Sequence, residues 1–212
     1  MIAPMLLTRL KNLVSALVFT TLVSLCLLPA SAQGFGLTPF TGYRFGGEFE
    51  DINTGTELRL SEEQTYGIVL DRQMADGELL EFYYSRQPSS LLASGPITPG
   101  ALFDIDVEYY HLGGKYRMKS NAGAFYLGSV GLTRFSPGID GLGPETKFSL
   151  GLGVGIETAS DKRFGFRLEG RGFGTFIDSS GGIFCGSGGC IVVTESQMLW
   201  QFEVNAGITF RF

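Results

Sequence analysis

Met198-Leu-Trp-Gln-Phe-Glu-Val-Asn-Ala-Gly-Ile-Thr-Phe-Arg-Phe212 is the stretch that decides the fold. From Trp200 onward, every even position is apolar and every odd position is polar or glycine. A period of two is typical of a β-strand whose two faces meet different surroundings. The alternation continues to Phe212, whereas chain ends are usually polar and frayed unless something holds them. We therefore predict that this segment is the closing strand of a membrane β-barrel.

Residues 1–32 have the organisation of a secretory leader. Arg9 and Lys11 form a positively charged region, an apolar core follows, and Ala30-Ser31-Ala32 ends the segment with small residues. This order predicts a signal peptide that is cleaved after Ala32, leaving 33–212 as one barrel domain. A transmembrane anchor is the alternative, because the apolar core approaches the shortest length that spans a bilayer. Pro29 and the small-residue ending favour cleavage.

Composition narrows the class of protein. Loss of the leader removes two cations and no acids, so the formal charge of −5 becomes −7. An acidic chain without a basic face is not suited to nucleic acid, and we expect no such partner. The 31 glycines, 18 phenylalanines and 17 % charged residues favour strands and turns over helices. Beyond the leader there is no apolar run of helical length, so only a closed barrel could place the domain in a membrane.

The same alternation recurs along the chain, and we predict eight strands. Their ranges are 37–50, 63–74, 79–86, 102–118, 122–135, 145–158, 163–177 and 198–212. Asp76-Gly77 is predicted to form a tight hairpin turn, where glycine supplies the positive φ. The apolar parity changes within 122–135, and a β-bulge near Gly128 would account for the change.

Short and long connections alternate between these strands. The links before the third, fifth and seventh strands are short, and the others are longer and rich in Gly, Pro and Ser. This pattern is typical of bacterial outer-membrane barrels, which have short periplasmic turns and long extracellular loops. The sequence therefore predicts an all-β fold, an eight-stranded antiparallel up-and-down transmembrane β-barrel.

Periodicity alone does not say which face of the strands points outward. A soluble lipocalin-like barrel would place the apolar face inside, around a ligand. Aromatic residues near the strand ends favour a lipid-facing apolar surface instead, because membrane barrels carry aromatic girdles there. An eight-stranded barrel is only wide enough for side chains to fill it, so we predict a plugged lumen, with a gated ion path as the alternative. The predicted lumen charge network consists of Arg167, Glu169, Arg171, Glu203, Arg211, Asp104, Asp106 and Glu108.

In these features the sequence resembles the small eight-stranded outer-membrane barrels, the OmpA/OmpX-like barrel domains. The resemblance covers 33–212 and is mostly architectural. Its specific motif lies at Asn205, Gly207, Phe210 and Phe212, which match the insertion signal of the closing strand. The resemblance implies that this strand is recognised by the barrel assembly machinery. It also implies a Gram-negative outer membrane, with its lipid and lipopolysaccharide as partners.

The last long loop, 178–196, contains the two cysteines that remain after cleavage. Cys185 and Cys190 are predicted to form a disulfide, because export passes through an oxidising compartment. A ring this short contributes about 2 kcal/mol in the chain-entropy model. A metal site is the alternative, but it lacks a third ligand nearby. The apolar residues around the cysteines suggest contact with a surface partner, unless they only extend the flanking strands.

Some barrels of this class modify lipids, which requires a serine nucleophile and a histidine base. His111 is the single histidine, and no serine lies beside it in the sequence. It shares strand parity with Val107 and Tyr109, so we predict that it faces lipid. We predict no catalytic, cofactor-binding or metal site, and a monomer with a structural or surface-interaction role rather than an enzyme. A lipid-modifying enzyme and a narrow channel are the alternatives.

Overall fold

The computed structural model describes residues 34–51, 56–94, 100–118, 123–158, 163–177, 182–186, 189–193 and 198–212. The predicted leader, 1–32, lies outside these ranges. Within them, no helix is long and apolar enough to cross a membrane. Residues Gly34–Arg211 form one compact unit built of β-strands.

Eight strands form the wall of this unit. They are β1 (Phe35–Gly46), β4 (Glu63–Ala75), β5 (Glu78–Ser94), β6 (Gly100–Arg117), β7 (Ala124–Pro137), β8 (Glu145–Glu157), β9 (Phe164–Phe176) and β12 (Met198–Arg211). Four shorter strands lie in the connections: β2 (Glu48–Asp51), β3 (Thr56–Leu60), β10 (Gly182–Gly186) and β11 (Gly189–Val193).

The wall is a closed ring. Each of its strands pairs with the strand before and after it, in the order β5-β4-β1-β12-β9-β8-β7-β6, and β6 pairs again with β5. All of these pairings are antiparallel. The closing seam joins β1 to β12, with Gly36 opposite Arg211 at one end and Gly46 opposite Gln201 at the other. The predicted eight-stranded up-and-down barrel is confirmed.

The connections add two hairpins that the sequence did not reveal. The first predicted strand, 37–50, is interrupted, because Gly46 and Gly47 adopt φ of 85° and 94°, where only glycine is unstrained. β2 and β3 follow this break and pair with each other, and β3 also pairs with the end of β5. β10 and β11 form a separate two-stranded sheet.

Two local predictions have different outcomes. The Asp76-Gly77 turn is confirmed: it joins β4 to β5, and Gly77 has a φ of 82°. The β-bulge near Gly128 is wrong, because β7 pairs with both neighbours without a register shift. Phe125 and Leu127 instead point into the barrel and change the pattern there without any backbone irregularity.

The outer face of the wall is apolar and its inner face is polar, as the alternation in the closing strand predicts. On β12, Trp200, Phe202 and Val204 are 46–55 % exposed on the outer surface. The intervening Gln201 and Glu203 are at most 1 % exposed and lie inside the ring. This arrangement is the reverse of a lipocalin, whose apolar face lines the interior.

Candidate functional site

The centre of the barrel holds a closed group of four charges. Arg171 Nε lies 2.5 Å from Glu169 Oε1, and Arg171 Nη2 lies 2.7 Å from Glu81 Oε1. Arg167 binds the same two carboxylates from the other side, through Nε to Glu169 Oε2 at 2.9 Å and Nη2 to Glu81 Oε2 at 2.8 Å. All four side chains are at most 3 % exposed. Two cations and two anions therefore neutralise one another out of contact with water.

A second buried pair lies next to this group. Arg44 donates to Glu203 Oε2 through Nη2 at 2.6 Å and Nε at 3.1 Å, and both side chains are fully buried. The remaining oxygen of Glu203 accepts from the Tyr83 hydroxyl at 2.5 Å and from Asn205 Nδ2 at 3.0 Å. Hydrogen bonds to both carboxylate oxygens are what a buried ion pair needs to offset its desolvation.

The third group lies at the short-turn end of the barrel. Lys115 Nζ lies 2.9 Å from Glu157 Oε2 and 3.3 Å from Asp71 Oδ2. Glu157 also meets Arg117 at 3.8 Å and is in contact with Arg211. Arg211 is 16 % exposed, so this member of the predicted network lies at the edge of the interior.

Aromatic rings occupy the space between the charges. The guanidinium carbon of Arg171 lies 3.9 Å from the centre of the Tyr83 ring, and that of Arg167 lies 4.8 Å from the centre of Phe125. Arg44 lies 4.6 Å above Tyr109. A cation over a ring face gains further attraction when it is desolvated.

Glycines on β8 make room for this packing. A Cβ on Gly155 would lie 2.4 Å from Phe125, and one on Gly151 would lie 2.5 Å from the Ser129 hydroxyl. At Gly153 it would lie 3.2 Å from Leu127. The glycines that alternate along β8 therefore let large side chains from the neighbouring strand fill the interior.

His111 lies inside the barrel, and the prediction that it faces lipid is wrong. Its Nδ1 lies 3.0 Å from the hydroxyl of Ser129 and its Nε2 2.9 Å from that of Ser149. The side chain is 1 % exposed and contacts the edge of Phe173. Both ring nitrogens are satisfied by hydroxyls that share its interior position.

The interior changes character at the long-loop end. There the side chains are apolar and buried, at most 4 % exposed, and come from the ring, from the segment after β9 and from β3. This group is called the mouth cluster, and its members are Leu58, Leu60, Leu91, Ile105, Val107, Phe135, Ile177 and Leu199. Below it, the Tyr109 hydroxyl donates to Gln201 Oε1 at 2.9 Å and begins the polar region.

Three carboxylates predicted for the lumen are on the outer surface, so that part of the predicted network is wrong. Asp104, Asp106 and Glu108 alternate with the buried Ile105 and Val107 along β6. They project outward for the same reason that His111 projects inward, because successive residues of a strand point to opposite faces.

Each of these carboxylates has a partner on the outer wall. Asp106 accepts from Arg86 at 2.5 Å, and Ser90 donates to Asp104 at 2.9 Å. Glu108 accepts from the Tyr84 hydroxyl at 2.8 Å and lies 3.8 Å from Arg134. The hydrogen bond to Asp106 raises the pKa of the Arg86 guanidinium above its ordinary value.

The polarity of the outer surface changes between two adjacent rows of residues. One row, continuous across four paired strands, is aromatic or aliphatic: Tyr84, Tyr110, Leu132 and Phe148. The next outward-facing row towards the long loops is polar or charged: Arg86, Glu108, Arg134 and Thr146. On β5 to β8, this boundary marks the change from an apolar to a charged outer surface.

The predicted insertion motif lies on the closing seam. Asn205 is 4 % exposed inside the barrel, and Phe210 stacks edge-on with Phe164 at 5.4 Å on the outside. A Cβ on Gly207 would lie 2.7 Å from the carbonyl oxygen of Pro39, so ring closure itself requires glycine at this position. Phe212 is 49 % exposed. Recognition by assembly machinery stays a prediction.

Cys185 and Cys190 lie directly opposite each other in the β10–β11 hairpin. Their side chains are outside the described part of the structure, so the disulfide stays a prediction. Among the described residues, no group of three or more His, Cys, Asp or Glu side chains is arranged to hold a metal ion.

A closed antiparallel ring of eight strands, apolar outside and with paired charges inside, defines the class of small membrane β-barrels. Solved structures share the fold, including the two that follow. Neisserial surface protein A has a TM-score of 0.57 and 13 % identity, over 84 % of this chain and 97 % of that one. OprG of Pseudomonas aeruginosa has a TM-score of 0.52 and 13 % identity, over 85 % and 96 %. The predicted resemblance to small outer-membrane barrels is confirmed at the level of the fold. No family model matches the chain, and no curated protein matches it.

Proposed function

We propose that this chain is an integral protein of the bacterial outer membrane, with a closed interior and a structural or surface-contact role carried by its long-loop end. The observation that supports the proposal is the apolar outer surface of a closed ring whose central charges are paired and buried. We infer that a barrel built this way offers no free passage through its lumen, so that its working surfaces are the ones that face outward.

Membrane insertion is supported by the two outer rows on β5 to β8. On β6, Tyr110 belongs to the apolar row. Towards the short-turn end, the outer face of the strand continues with Leu112, Tyr116 and Met118, each 40–52 % exposed. From Tyr110 to Met118 is a length of about nine residues, which a tilted strand needs to cross the hydrocarbon. The charged row at Glu108 then lies at the level of lipid headgroups, where Arg86 and Arg134 are 40 % and 46 % exposed. Guanidinium groups at this level suit the phosphates of lipopolysaccharide.

The closed interior argues for a non-conducting role. The cationic side chains of these ion pairs, Arg44, Lys115, Arg167 and Arg171, are each 0–1 % exposed, and the mouth cluster lies on their long-loop side. An ion that entered would have to displace paired charges, and breaking one such buried pair costs about 3–5 kcal/mol. In planar bilayers we expect no single-channel steps, and reproducible conductance would contradict a closed barrel.

Surface contact is assigned to the loop 178–196. Its β10–β11 hairpin is a sheet separate from the ring, and a separate hairpin can project from the rim. We expect a disulfide between Cys185 and Cys190 to hold it, which alkylation and mass measurement before and after reduction would detect.

The test of this role replaces residues 183–193 by a short turn. The matched control shortens the connection 138–143, between β7 and β8, which leaves the hairpin intact. Binding of cells that display each variant to lipopolysaccharide vesicles and to cultured epithelial cells is then compared. We expect loss of binding only when the hairpin is removed, and unchanged binding would contradict the surface-contact role.

Localisation and orientation are tested separately. The protein should fractionate with outer membranes and migrate faster on gels before boiling than after. A protease site inserted at 138–143 should be cut on intact cells, whereas one inserted at Asp76-Gly77 should be protected. The reverse pattern would invert the proposed topology, and assembly should fail when Phe210 and Phe212 are both replaced by serine.

A further inference from the structure

The outer wall carries an open depression on the long-loop side of the charged row Arg86, Glu108, Arg134 and Thr146. Its volume is about 400 Å³, which lies within the range of about 300–1,000 Å³ that is usual for small-molecule sites. Most of its lining side chains are short and polar, and the set includes Glu63, Pro88, Ser90, Asp104, Asp106 and Ser136. The depression is large enough for a small polar ligand.

The depression has a simple cause in the register of the ring. Pro88 lies opposite Asp106, and Asp106 lies opposite Ser136, so these outward residues form the next row beyond the charged one. Short side chains therefore follow long ones on the same strands, and the surface steps inward. Because β6 is paired here with both β5 and β7, the shape of the depression is set by strands of the ring.

Hydrogen-bonding groups of both kinds line the depression. Asp104 Oδ1 accepts from the Ser90 hydroxyl at 2.9 Å, and Asp106 Oδ2 accepts from Arg86 Nη2 at 2.5 Å. Each of these contacts uses one oxygen of a carboxylate, which has about four acceptor positions in all. The Ser136 hydroxyl can donate and accept, and beside these polar groups Pro88 is an exposed apolar ring. A ligand ring that carries several hydroxyls matches this mixture.

The charge of the depression selects against anions. Three of its lining side chains are carboxylates, and Arg86 neutralises one of them. Like charges in contact repel each other even in water, so a phosphate or a sugar acid is disfavoured, whereas a neutral or amino sugar fits. Groups suited to phosphate lie on the adjacent row instead, where Arg86 and Arg134 are 40 % and 46 % exposed.

We propose that the depression binds a neutral or amino sugar of lipopolysaccharide, one row beyond the phosphates assigned to Arg86 and Arg134. Successive outward residues of a strand are about 7 Å apart, and the carbohydrate of this lipid continues outward from its phosphates. One molecule can therefore meet both rows. The proposal deepens the proposed function and rests on its placement of the charged row at the headgroups.

Each lining group then has a defined role. Asp104 and Asp106 accept hydrogen bonds from the hydroxyls or the ammonium group of the sugar. Ser136 donates to or accepts from a further hydroxyl, and Pro88 packs against the C–H face of the ring.

Sugar recognition is tested in detergent micelles, away from any membrane. Backbone amide signals are followed by NMR during titration with glucosamine, glucose and glucuronate, which share a pyranose ring and differ in charge. We expect shifts at Ser90, Asp104, Asp106 and Ser136, and an affinity that falls by about fivefold or more from glucosamine to glucuronate. Equal affinity for all three, or no shift at these amides at the highest soluble concentrations, would overturn the proposal.

A pair of substitutions tests the two carboxylates. Asp104→Asn with Asp106→Asn removes their charge and keeps the shape of the depression, and glucosamine should bind at least about tenfold more weakly, because charge-assisted hydrogen bonds are lost. Asp140→Asn is the matched control, since this exposed aspartate lies in the connection after β7 and outside the depression. Its affinity should be unchanged, and equal weakening in both variants would contradict a local site. Gel migration before and after boiling shows that each variant has a closed ring.

A third measurement tests lipopolysaccharide as the source of the sugar. Ser136→Cys is placed in a chain in which Cys185 and Cys190 are serine, and a water-soluble maleimide labels it in nanodiscs. Labelling should slow by about fivefold or more when lipopolysaccharide replaces phosphatidylglycerol, because an occupied site is protected. Asp140→Cys should label equally in both lipids.

No slowing at position 136, or equal slowing at 136 and 140, would overturn lipopolysaccharide as the occupant. Outer-membrane fractionation and removal of the hairpin test the proposed function separately, so either proposal can fail alone.

Discussion

The two ends of strand β6 obey opposite polarity rules. In its second half, inward residues such as His111 and Lys115 are polar and outward residues such as Leu112 are apolar. In its first half, inward Ile105 and Val107 are apolar and outward Asp106 is charged. The strand does not change its parity between them. We infer that the surrounding medium changes instead: the first half of β6 lies above the proposed bilayer and has the polarity of a soluble protein.

The largest expected effect comes from breaking the central charge group. Glu169→Ala leaves Arg167 and Arg171 with one carboxylate fewer between them, and we expect a loss of about 3–5 kcal/mol in the free energy of unfolding. Denaturant titration of the protein in lipid vesicles measures it. Asp106→Ala is the matched control on the outer wall, where its pair with Arg86 is 31–40 % exposed and should contribute about 0–1 kcal/mol. Similar losses in both variants would mean that burial does not distinguish the two charge groups.

The mouth cluster should behave as a soluble core. Leu91 is fully buried, and Leu91→Ala should cost about 2–5 kcal/mol, because a cavity remains in a packed apolar region. Leu102, which is 47 % exposed near the start of β6, should tolerate alanine within about 0.5 kcal/mol. The same titration compares them, and a negligible loss at Leu91 would mean that the mouth is loosely packed.

A new charge on the outer surface should cost more stability on the apolar side of the boundary between the two outer rows than on the charged side. Val130, which is 53 % exposed, lies on the apolar side, and Val130→Lys should cost about 2–4 kcal/mol in a bilayer. Ser136 lies beyond the charged row on the same strand, and Ser136→Lys should cost about 0–1 kcal/mol. Refolding into vesicles measures both. Equal tolerance at the two positions would place the boundary elsewhere.

The ring was predictable because most of its strands alternate between apolar residues on the outer surface and polar residues in the interior. On β12 and β9, polar residues such as Glu203 and Arg171 do lie inside, and the two faces could be assigned from sequence. The rule that polar side chains lie in the interior failed on β6. The sequence does not show at which residue the outer surface of this strand changes from apolar to charged. Asp104 and His111 were therefore assigned to the wrong faces.

Other features depended on contacts between distant segments. Phe125 is apolar yet interior, and it fits because Gly155 on the neighbouring strand leaves room for its ring. Glu81, Asp71 and Lys115 have unremarkable sequence contexts, and their roles emerge only when the ring brings them to Arg167 and Glu157. β3 lies in a predicted connection, and its alternation from Glu57 to Leu60 is too short to predict a strand. Side-chain periodicity predicts which face of a strand a residue lies on. Its interaction partners depend on which strands the closed ring brings together.

The central claim is that the surroundings of β6 change at Tyr110, and one measurement tests it most directly. Spin labels are placed singly along β6 in vesicles, and collision with oxygen in lipid is compared with collision with a water-soluble nickel complex. We predict that outward positions 104, 106 and 108 meet the nickel complex and that 110, 112 and 116 meet oxygen. Inward positions 105, 107, 109 and 111 should be shielded from both. Lipid exposure that continues through 104–108, or strong nickel collision at 110–116, would contradict the account.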